Sequence, residues 1–375
     1  MDIGSFFDIF TAGSLAFTWG NALMIFVGLV LIYLAIVKEY EPVLLLPIGF
    51  GCILANLGMA ASADGEGFLS VLYRAGIQSE LFPLLIFVGV GGMIDFSPLL
   101  AQPHLALLGA AGQFGIYGTL ILATLIGFNL NEAASIGVIG AIDGPTAIYV
   151  AGKLAPGMLA PIAVAAYSYM SLVPIIQPPI MKLLTTRKER LIRMEYSPKP
   201  ISKKALIIFP IAVTIVISLL APTAAPLIAA LMLGNLLKES GVVDRLNKSA
   251  QNEIINISTL FLGLTIGGTM TAASFLNWDT LFILGLGLLA FILDTAAGVM
   301  FGKLMSLVTG GKINPLIGAC GISAFPMAGR LSAKMAQDED FENFILMHAM
   351  GSNTAGQLGS VIAGGLLLTL VLAMQ

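Results

Sequence analysis

The chain alternates long apolar stretches with short polar ones along nearly its whole length. Residues 61–80 and 238–253 are too polar to span a bilayer, and residues 1–20 are predicted to form an amphipathic, interfacial lead-in. Residues 130–155 and 311–336 are apolar but interrupted by glycine and proline. The pattern predicts an all-α, polytopic membrane protein with roughly ten membrane-embedded elements and an inverted repeat with two broken, hairpin-like helices. The continuous spans are predicted at 21–37, 43–58, 82–101, 105–127, 158–184, 205–220, 222–237, 255–273, 279–306 and 341–373.

Composition supports this class, because 57% of the 375 residues are hydrophobic and only 10% are charged. The net charge of -3 gives no reason to expect a nucleic acid partner. Cys52 and Cys320 both lie in apolar stretches and are expected to pack rather than to form a disulfide or a metal site. One loop, residues 185–204, is strongly basic, which places it in the cytoplasm by the positive-inside rule. Its cations are Arg187, Lys188, Arg190, Arg193, Lys199, Lys203 and Lys204.

The two broken segments belong to an internal repeat. Residues 136–140 align with residues 317–321, and in the same register Pro145 aligns with Pro326. Corresponding interrupted segments are typical of transporters built from inverted repeats, whose site lies between the repeats near the bilayer midplane. We therefore divide the chain into an N-terminal segment with the first span (1–40), a first repeat (41–184), the basic loop (185–204) and a second repeat (205–375).

Asp143 is the central candidate residue, since it is followed at once by Gly144 and Pro145 inside an apolar region. A carboxylate at membrane depth is costly and is usually functional. A broken helix frees main-chain carbonyls that bind small cations together with such a carboxylate. The alternative is that Asp143 only caps the helix that begins near Pro145.

A sodium ion needs several oxygen ligands in addition to one carboxylate. The polar side chains of the second broken segment and of the last helix can supply them, although close helix packing explains Ser360 equally well. The predicted sodium ligands are Asp143, Asn314, Ser323, Asn353 and Ser360.

Several runs of sequence closely resemble the β subunit of biotin-dependent, sodium-translocating decarboxylases. They are residues 21–51, 140–156 (GAIDGPTAIYVAGKLAP), 165–182, 314–330 (NPLIGACGISAFPMAGR) and 350–360 (MGSNTAGQLGS). The resemblance implies a subunit that decarboxylates carboxybiotin, exports sodium and consumes a proton in a bacterial cytoplasmic membrane. It also implies an oligomeric complex with a carboxyltransferase α subunit, a separate biotin carrier protein and a small membrane γ/δ subunit. The length favours an acyl-CoA decarboxylase over the oxaloacetate enzyme.

The resemblance also assigns residues. The functional positions of the family fall on Asp143, Tyr169, Asn314, Gly318, Ser323, Arg330, Asn353 and Ser360. Tyr169 is expected to relay a proton and Arg330 to hold the carboxylate of carboxybiotin. Aromatic packing and snorkelling to lipid phosphate are the respective alternatives. Asp294 is a second intramembrane carboxylate without an assigned role. A sodium/proton antiporter or sodium-coupled carrier without covalent chemistry remains the competing function, because fold does not fix function.

Overall fold

The computed structural model describes residues 17–62, 64–195 and 200–374, so most of the predicted N-terminal lead-in and Lys199 lie outside the described residues. Within these ranges the chain is α-helical, with short 3-10 and π turns and no β-strand. The first half contains α1 (Trp19–Val37), α2 (Pro42–Leu54), α3 (Phe68–Leu72), α4 (Leu81–Met93), α5 (Ser97–Ala101), α6 (Ala106–Ala111), α7 (Phe114–Ile126), α8 (Leu130–Gly137), α9 (Gly144–Leu154), α10 (Leu159–Ser171), α11 (Val173–Leu184) and α12 (Arg187–Arg190). The second half contains α13 (Lys203–Leu220), α14 (Ala225–Ser240), α15 (Asp244–Ser249), α16 (Ile255–Thr269), α17 (Ala272–Phe275), α18 (Trp278–Val308), α19 (Met327–Glu339) and α20 (Leu346–Ala373).

In the described part of the chain, six helices are long and apolar enough to cross a membrane, or up to eight if each of two bent pairs is one span. This confirms the prediction of an all-α, multi-pass membrane protein. The bent pairs change two predicted boundaries. The polar stretch 61–80 contributes the helix Phe68–Gln78, which meets Leu81–Met93 at 59°. The predicted span 158–184 bends by 66° at Leu172, just before Pro174, whose ring removes a main-chain donor.

Two helix pairs, α2 with α16 and α4 with α14, pack through glycines. A Cβ on Gly267 would lie 2.1 Å from the Ile48 carbonyl oxygen, and a Cβ on Gly234 would lie 1.9 Å from the Val88 carbonyl oxygen. Such close backbone approach is possible only without a side chain. The backbones of the two helices in each pair are therefore in close contact.

The ends of the helices can be assigned to sides by tracing from the basic loop. Lys303, near the end of α18, donates to the Leu184 carbonyl, and Asn343, just before α20, donates to the carbonyl of Arg190. The loop side therefore holds the end of α18 and the start of α20. The opposite ends of these two long helices carry Phe282 and Thr369.

The two broken segments form hairpins that enter from opposite sides. The first consists of α8, a 3-10 turn at Val138–Ala141 and α9; its outer ends contact Phe282, through Phe128, and Thr223, through Tyr149. Thr223 in turn contacts Thr369, so both ends lie away from the basic loop.

The second hairpin consists of a 3-10 turn at Pro315–Gly321 and α19. Both of its outer ends lie against the basic loop, because Asn314 donates to the carbonyl of Arg190 and Glu339 pairs with the Arg190 guanidinium at 2.7 Å. The tips of the hairpins meet where the Ser323 amide donates to the Ala141 carbonyl at 3.1 Å. Each hairpin therefore reaches the centre of the protein from its own side, as expected for inverted repeats.

Candidate functional site

Asp143 lies at the tip of the first hairpin and caps α9. Its Oδ1 accepts from the Thr146 amide at 3.3 Å, which satisfies one of the amides that a helix start leaves unpaired. Ile142, immediately before it, has a left-handed backbone (φ 53°), so the chain turns sharply into the cap. The capping role occupies only one oxygen of the carboxylate. The other oxygen faces the rest of the site.

The second oxygen of Asp143 is the point where three parts of the chain converge. Its Oδ2 accepts from Ser323 Oγ, Gln357 Nε2 and Ser360 Oγ, each at 3.1 Å. Ser323 lies at the tip of the second hairpin, and the other two lie on α20. Asp143 is only 4% exposed, so these neutral donors are what solvates the carboxylate. Gln357, which the sequence analysis did not select, belongs to this site.

A cavity of about 260 Å³ leads to Asp143 between the hairpin tips and helices α2, α4 and α16. Polar residues Gln251 and Asn256 line its outer part, together with Glu41. Lys238, near the end of α14, donates to the Ile94 carbonyl, and the carbonyl of the next residue, Asp95, accepts from Thr354 near the start of α20. The end of α14 and the residues that follow it therefore lie on the loop side. The cavity therefore extends from the carboxylate toward that side. Burial raises the pKa of Glu41, which lies between α1 and α2.

Tyr167 is a second residue that the sequence analysis did not assign to the site. Its ring packs on Gly144, where an added Cβ would lie 2.1 Å from the ring carbon that bears the hydroxyl. The hydroxyl is buried, has no hydrogen-bond partner among the described residues, and lines the same cavity as Asp143. Its position beside the carboxylate comes from the packing of α10 on α9, which the sequence pattern did not indicate.

Asn353 lies next to the site and holds the tip of the second hairpin. Its Nδ2 donates to the carbonyls of Cys320, at 3.3 Å, and Ile322, at 2.8 Å, while its Oδ1 accepts from the Gly329 amide at 3.4 Å. This side chain joins α20 to both limbs of the hairpin. It therefore sets where Ser323 lies relative to Asp143.

Three of the predicted site residues lie apart from the carboxylate. Asn314 lies at the outer end of the second hairpin, where its amide donates to the carbonyls of Arg190 and Ile192 at 2.9 Å each. The hydroxyl of Tyr169 donates to the Leu284 carbonyl on α18. The third, Arg330, lies in the first turn of α19 and is exposed. The structure thus brings Asp143, Ser323 and Ser360 together, with Asn353 beside them.

Gly318, which the resemblance marks as functional, lies at a close helix contact. A Cβ on Gly318 would lie 2.0 Å from the Gly298 carbonyl oxygen, and the reverse distance is 2.3 Å. The 3-10 turn of the second hairpin can approach α18 only because both positions lack a side chain. A larger residue here would push the hairpin away from α18 and displace its tip.

These features define a multi-pass membrane protein with a buried carboxylate between two opposed hairpin tips. A family described as the Na+-transporting oxaloacetate decarboxylase beta subunit matches residues 20–371. The chain belongs to this family, and so it is the membrane component of a biotin-dependent decarboxylase with several subunits.

Similar proteins serve different substrates. The chain is 55% identical over 360 residues to the methylmalonyl-CoA decarboxylase subunit beta of Veillonella parvula, covering 96% of this chain and 95% of that one. It is 54% identical over 360 residues to the glutaconyl-CoA decarboxylase subunit beta of Acidaminococcus fermentans, covering 96% of each. It is 47% identical over 416 residues to the oxaloacetate decarboxylase beta chain of Klebsiella pneumoniae, covering 95% of this chain and 96% of that one.

Proposed function

We propose that this chain decarboxylates carboxybiotin and uses the free energy to export sodium across the bacterial cytoplasmic membrane. The observation that carries the proposal is the convergence of Ser323, Gln357 and Ser360 on one oxygen of Asp143. A single buried carboxylate between two hairpin tips gives a monovalent cation a site that both repeats share. Movement of either hairpin then changes the positions of the ligands and the path by which sodium reaches them.

The donor set suits sodium because each group also carries oxygen. Hydroxyls of Ser323 and Ser360 rotate freely and can present a lone pair in place of a proton, and the amide of Gln357 carries a carbonyl oxygen. Together with the carboxylate they supply hard oxygen ligands with one negative charge. Of the other two predicted ligands, Asn353 lies beside them at the hairpin tip, whereas Asn314 lies at the outer end of the second hairpin.

The decarboxylation chemistry needs a dry site and a proton. Carboxybiotin loses carbon dioxide more readily when its carboxylate is desolvated, and the ring nitrogen then accepts a proton. Arg330 carries no ion pair within the described residues, so its guanidinium is available to bind the carboxylate of carboxybiotin. Tyr169, which the resemblance marks as functional, is the proposed proton relay. Asp143 is the third proposed catalytic residue, because it would hold the sodium ion whose transport is coupled to decarboxylation.

The partners follow from the same chemistry. A biotin carrier protein brings carboxybiotin to the cytoplasmic side, where the cavity at Asp143 extends. A carboxyltransferase α subunit loads the carrier, and a small membrane γ/δ subunit completes the complex. We propose methylmalonyl-CoA or glutaconyl-CoA rather than oxaloacetate as the substrate of the whole complex, since those relatives share more of this sequence.

The test is sodium-dependent release of carbon dioxide by the purified complex in proteoliposomes, with radioactive sodium followed in parallel. We expect carbon dioxide release from carboxylated carrier to require sodium, and sodium to move only while carrier is being decarboxylated. Unloaded biotin carrier is the control. Sodium–proton exchange of equal rate with unloaded carrier would identify an antiporter instead, and sodium-independent decarboxylation would contradict the coupling.

A further inference from the structure

Asp294 is a buried carboxyl that the proposed function does not use. It lies midway along α18 and has no exposed surface. Ionisable groups at this depth in a membrane protein are expensive and usually serve ion or proton pathways. Three small residues surround it: Gly115 of α7, Gly140 of the first hairpin tip and Ala290 of α18.

The carboxyl of Asp294 lies between α7 and the tip of the first hairpin. A Cβ on Gly115 would lie 2.6 Å from Asp294 Cγ, and a Cβ on Gly140 would lie 3.0 Å from Asp294 Oδ2. Gly140 precedes Asp143 by three residues. Asp294 therefore contacts the same turn that carries the proposed sodium ligand, without touching that ligand.

The two oxygens of Asp294 have different surroundings. Oδ1 accepts from the Gly115 amide, which lies in the first turn of α7 and has no partner within its helix. The positive end of the helix dipole favours the ionised form. Oδ2 is buried and has no hydrogen-bond partner among the described residues. The carboxyl therefore has one oxygen bonded at a helix start and one buried oxygen that is free to carry a proton.

Other titratable groups on the elements around α18 do not bond to Asp294. The described hydrogen bonds and ion pairs connect this carboxyl to Gly115 alone. The titratable side chains on α7, α8, α10, α11 and the 3-10 turn of the second hairpin are Tyr117, Glu132, Tyr167, Tyr169, Lys182 and Cys320.

We propose that Asp294 is a proton-binding carboxyl that takes up and releases a proton at the centre of the bilayer during the transport cycle. A sodium ion would need several oxygens around one carboxylate. The described residues against this carboxyl bring no side-chain oxygen to it, and the group that bonds to it is an amide donor, not an oxygen ligand. A proton needs only the carboxyl oxygen itself.

That Asp294 supplies the proton consumed in decarboxylation rests on the proposed function. That Asp294 binds a proton at all rests on its geometry alone. When the bond between the biotin nitrogen and the carboxyl carbon breaks, its electron pair stays on nitrogen, carbon dioxide leaves, and one proton is consumed. Asp294 releases its proton toward the biotin nitrogen and takes up another from the outside.

Proton binding is tested without enzyme activity, by infrared difference spectroscopy of the purified protein in lipid nanodiscs after a change of pH. We expect a carbonyl-stretching band of a protonated carboxyl that is lost in Asp294→Asn and persists in Asp143→Asn. A band unaffected by Asp294→Asn would overturn the proposal. If Asp294→Asn is not produced in folded form, the wild-type protein and Asp143→Asn are labelled with carbon-13 aspartate instead. The proposal then requires that the carbonyl-stretching band shifts on labelling and is still present in Asp143→Asn.

The transport role is tested with the assembled complex in proteoliposomes. For Asp294→Asn we expect turnover at saturating sodium to fall on the order of 100-fold, with the half-saturating sodium concentration unchanged. Asp279→Asn, the same change at the exposed start of α18, is the matched control and should behave as wild type. Normal turnover in Asp294→Asn would overturn the transport role. If the wild-type complex lacks sodium-coupled decarboxylation, the proposed function fails, and the infrared band still decides proton binding.

Discussion

Ser323 and Asp143 are 180 residues apart in the chain and share a hydrogen bond of 3.1 Å at the centre of the protein. The bond joins the tips of two hairpins that enter from opposite sides. A second bond, between the Ser323 amide and the Ala141 carbonyl, fixes the main chains of the two tips. The proposed sodium ion would be held by groups from both repeats, so its binding and release would depend on how the two hairpins are positioned against one another.

Replacing Asp143 with asparagine should abolish sodium-coupled turnover and leave the protein folded. Asparagine keeps the shape and the oxygen that caps α9, but it removes the negative charge from the proposed ligand set. Sodium-dependent carbon dioxide release and thermal unfolding of the purified complex are the two measurements. Normal sodium pumping in the variant would leave Asp143 with the capping role alone.

Ser360→Ala should raise the half-saturating sodium concentration about tenfold or more, since a hydrogen bond to a charged group contributes about 1.5–3 kcal/mol and about 1.4 kcal/mol corresponds to tenfold. Turnover at saturating sodium should change little. Ser352→Ala is a matched control on the same helix, because the Ser352 hydroxyl is buried and has no hydrogen-bond partner among the described residues. Equal effects of the two substitutions would assign Ser360 to helix packing.

The two tyrosines of α10 should respond differently to loss of the hydroxyl. Tyr167→Phe removes an oxygen from the cavity beside Asp143, so we expect weaker sodium binding. Tyr169→Phe removes the hydroxyl of the proposed proton relay, so we expect slower turnover at saturating sodium with normal sodium affinity. A sodium titration of carbon dioxide release separates the two effects. Slower turnover in Tyr167→Phe together with weaker sodium binding in Tyr169→Phe would contradict these two assignments.

Asn314 and Asn343 should act together in holding the basic loop. Both amides donate to the carbonyls of Arg190 and Ile192, from the outer end of the second hairpin and from the segment before α20. Either alanine substitution should destabilise the protein by about 1–3 kcal/mol and speed trypsin cleavage within the loop. Thermal unfolding and timed proteolysis measure this. If only Asn314→Ala weakens sodium binding, the ligand role implied by the resemblance would be supported.

Nearby ion pairs add to this attachment of the loop. Arg193 contacts Asp340 at 2.7 Å and holds the pKa of that carboxyl below its ordinary value, through a hydrogen bond and charge attraction. Such exposed pairs contribute little stability, typically about 0–1 kcal/mol. The buried amides of Asn314 and Asn343 should therefore dominate, and high salt should loosen the loop much less than either alanine substitution.

The sequence by itself determined the class of protein, the two broken segments, the basic loop and the choice of Asp143 as the central candidate residue. These follow from local properties, since hydropathy over about 20 residues decides which segments cross the bilayer, and glycine, proline and charge mark the interruptions. They also follow from the resemblance, which the family match over residues 20–371 confirms.

Only the tertiary structure decided which polar groups meet. Gln357 bonds to Asp143 across 214 residues, a contact that depends on how α20 packs between the hairpins. Tyr167 and Tyr169 are two residues apart on α10 and so face different neighbours, one the cavity and the other α18. Sequence spacing gives the angle between such side chains but not the element that each one faces. That choice is made by packing between helices, where small residues such as Gly144 and Gly318 set the distance of approach.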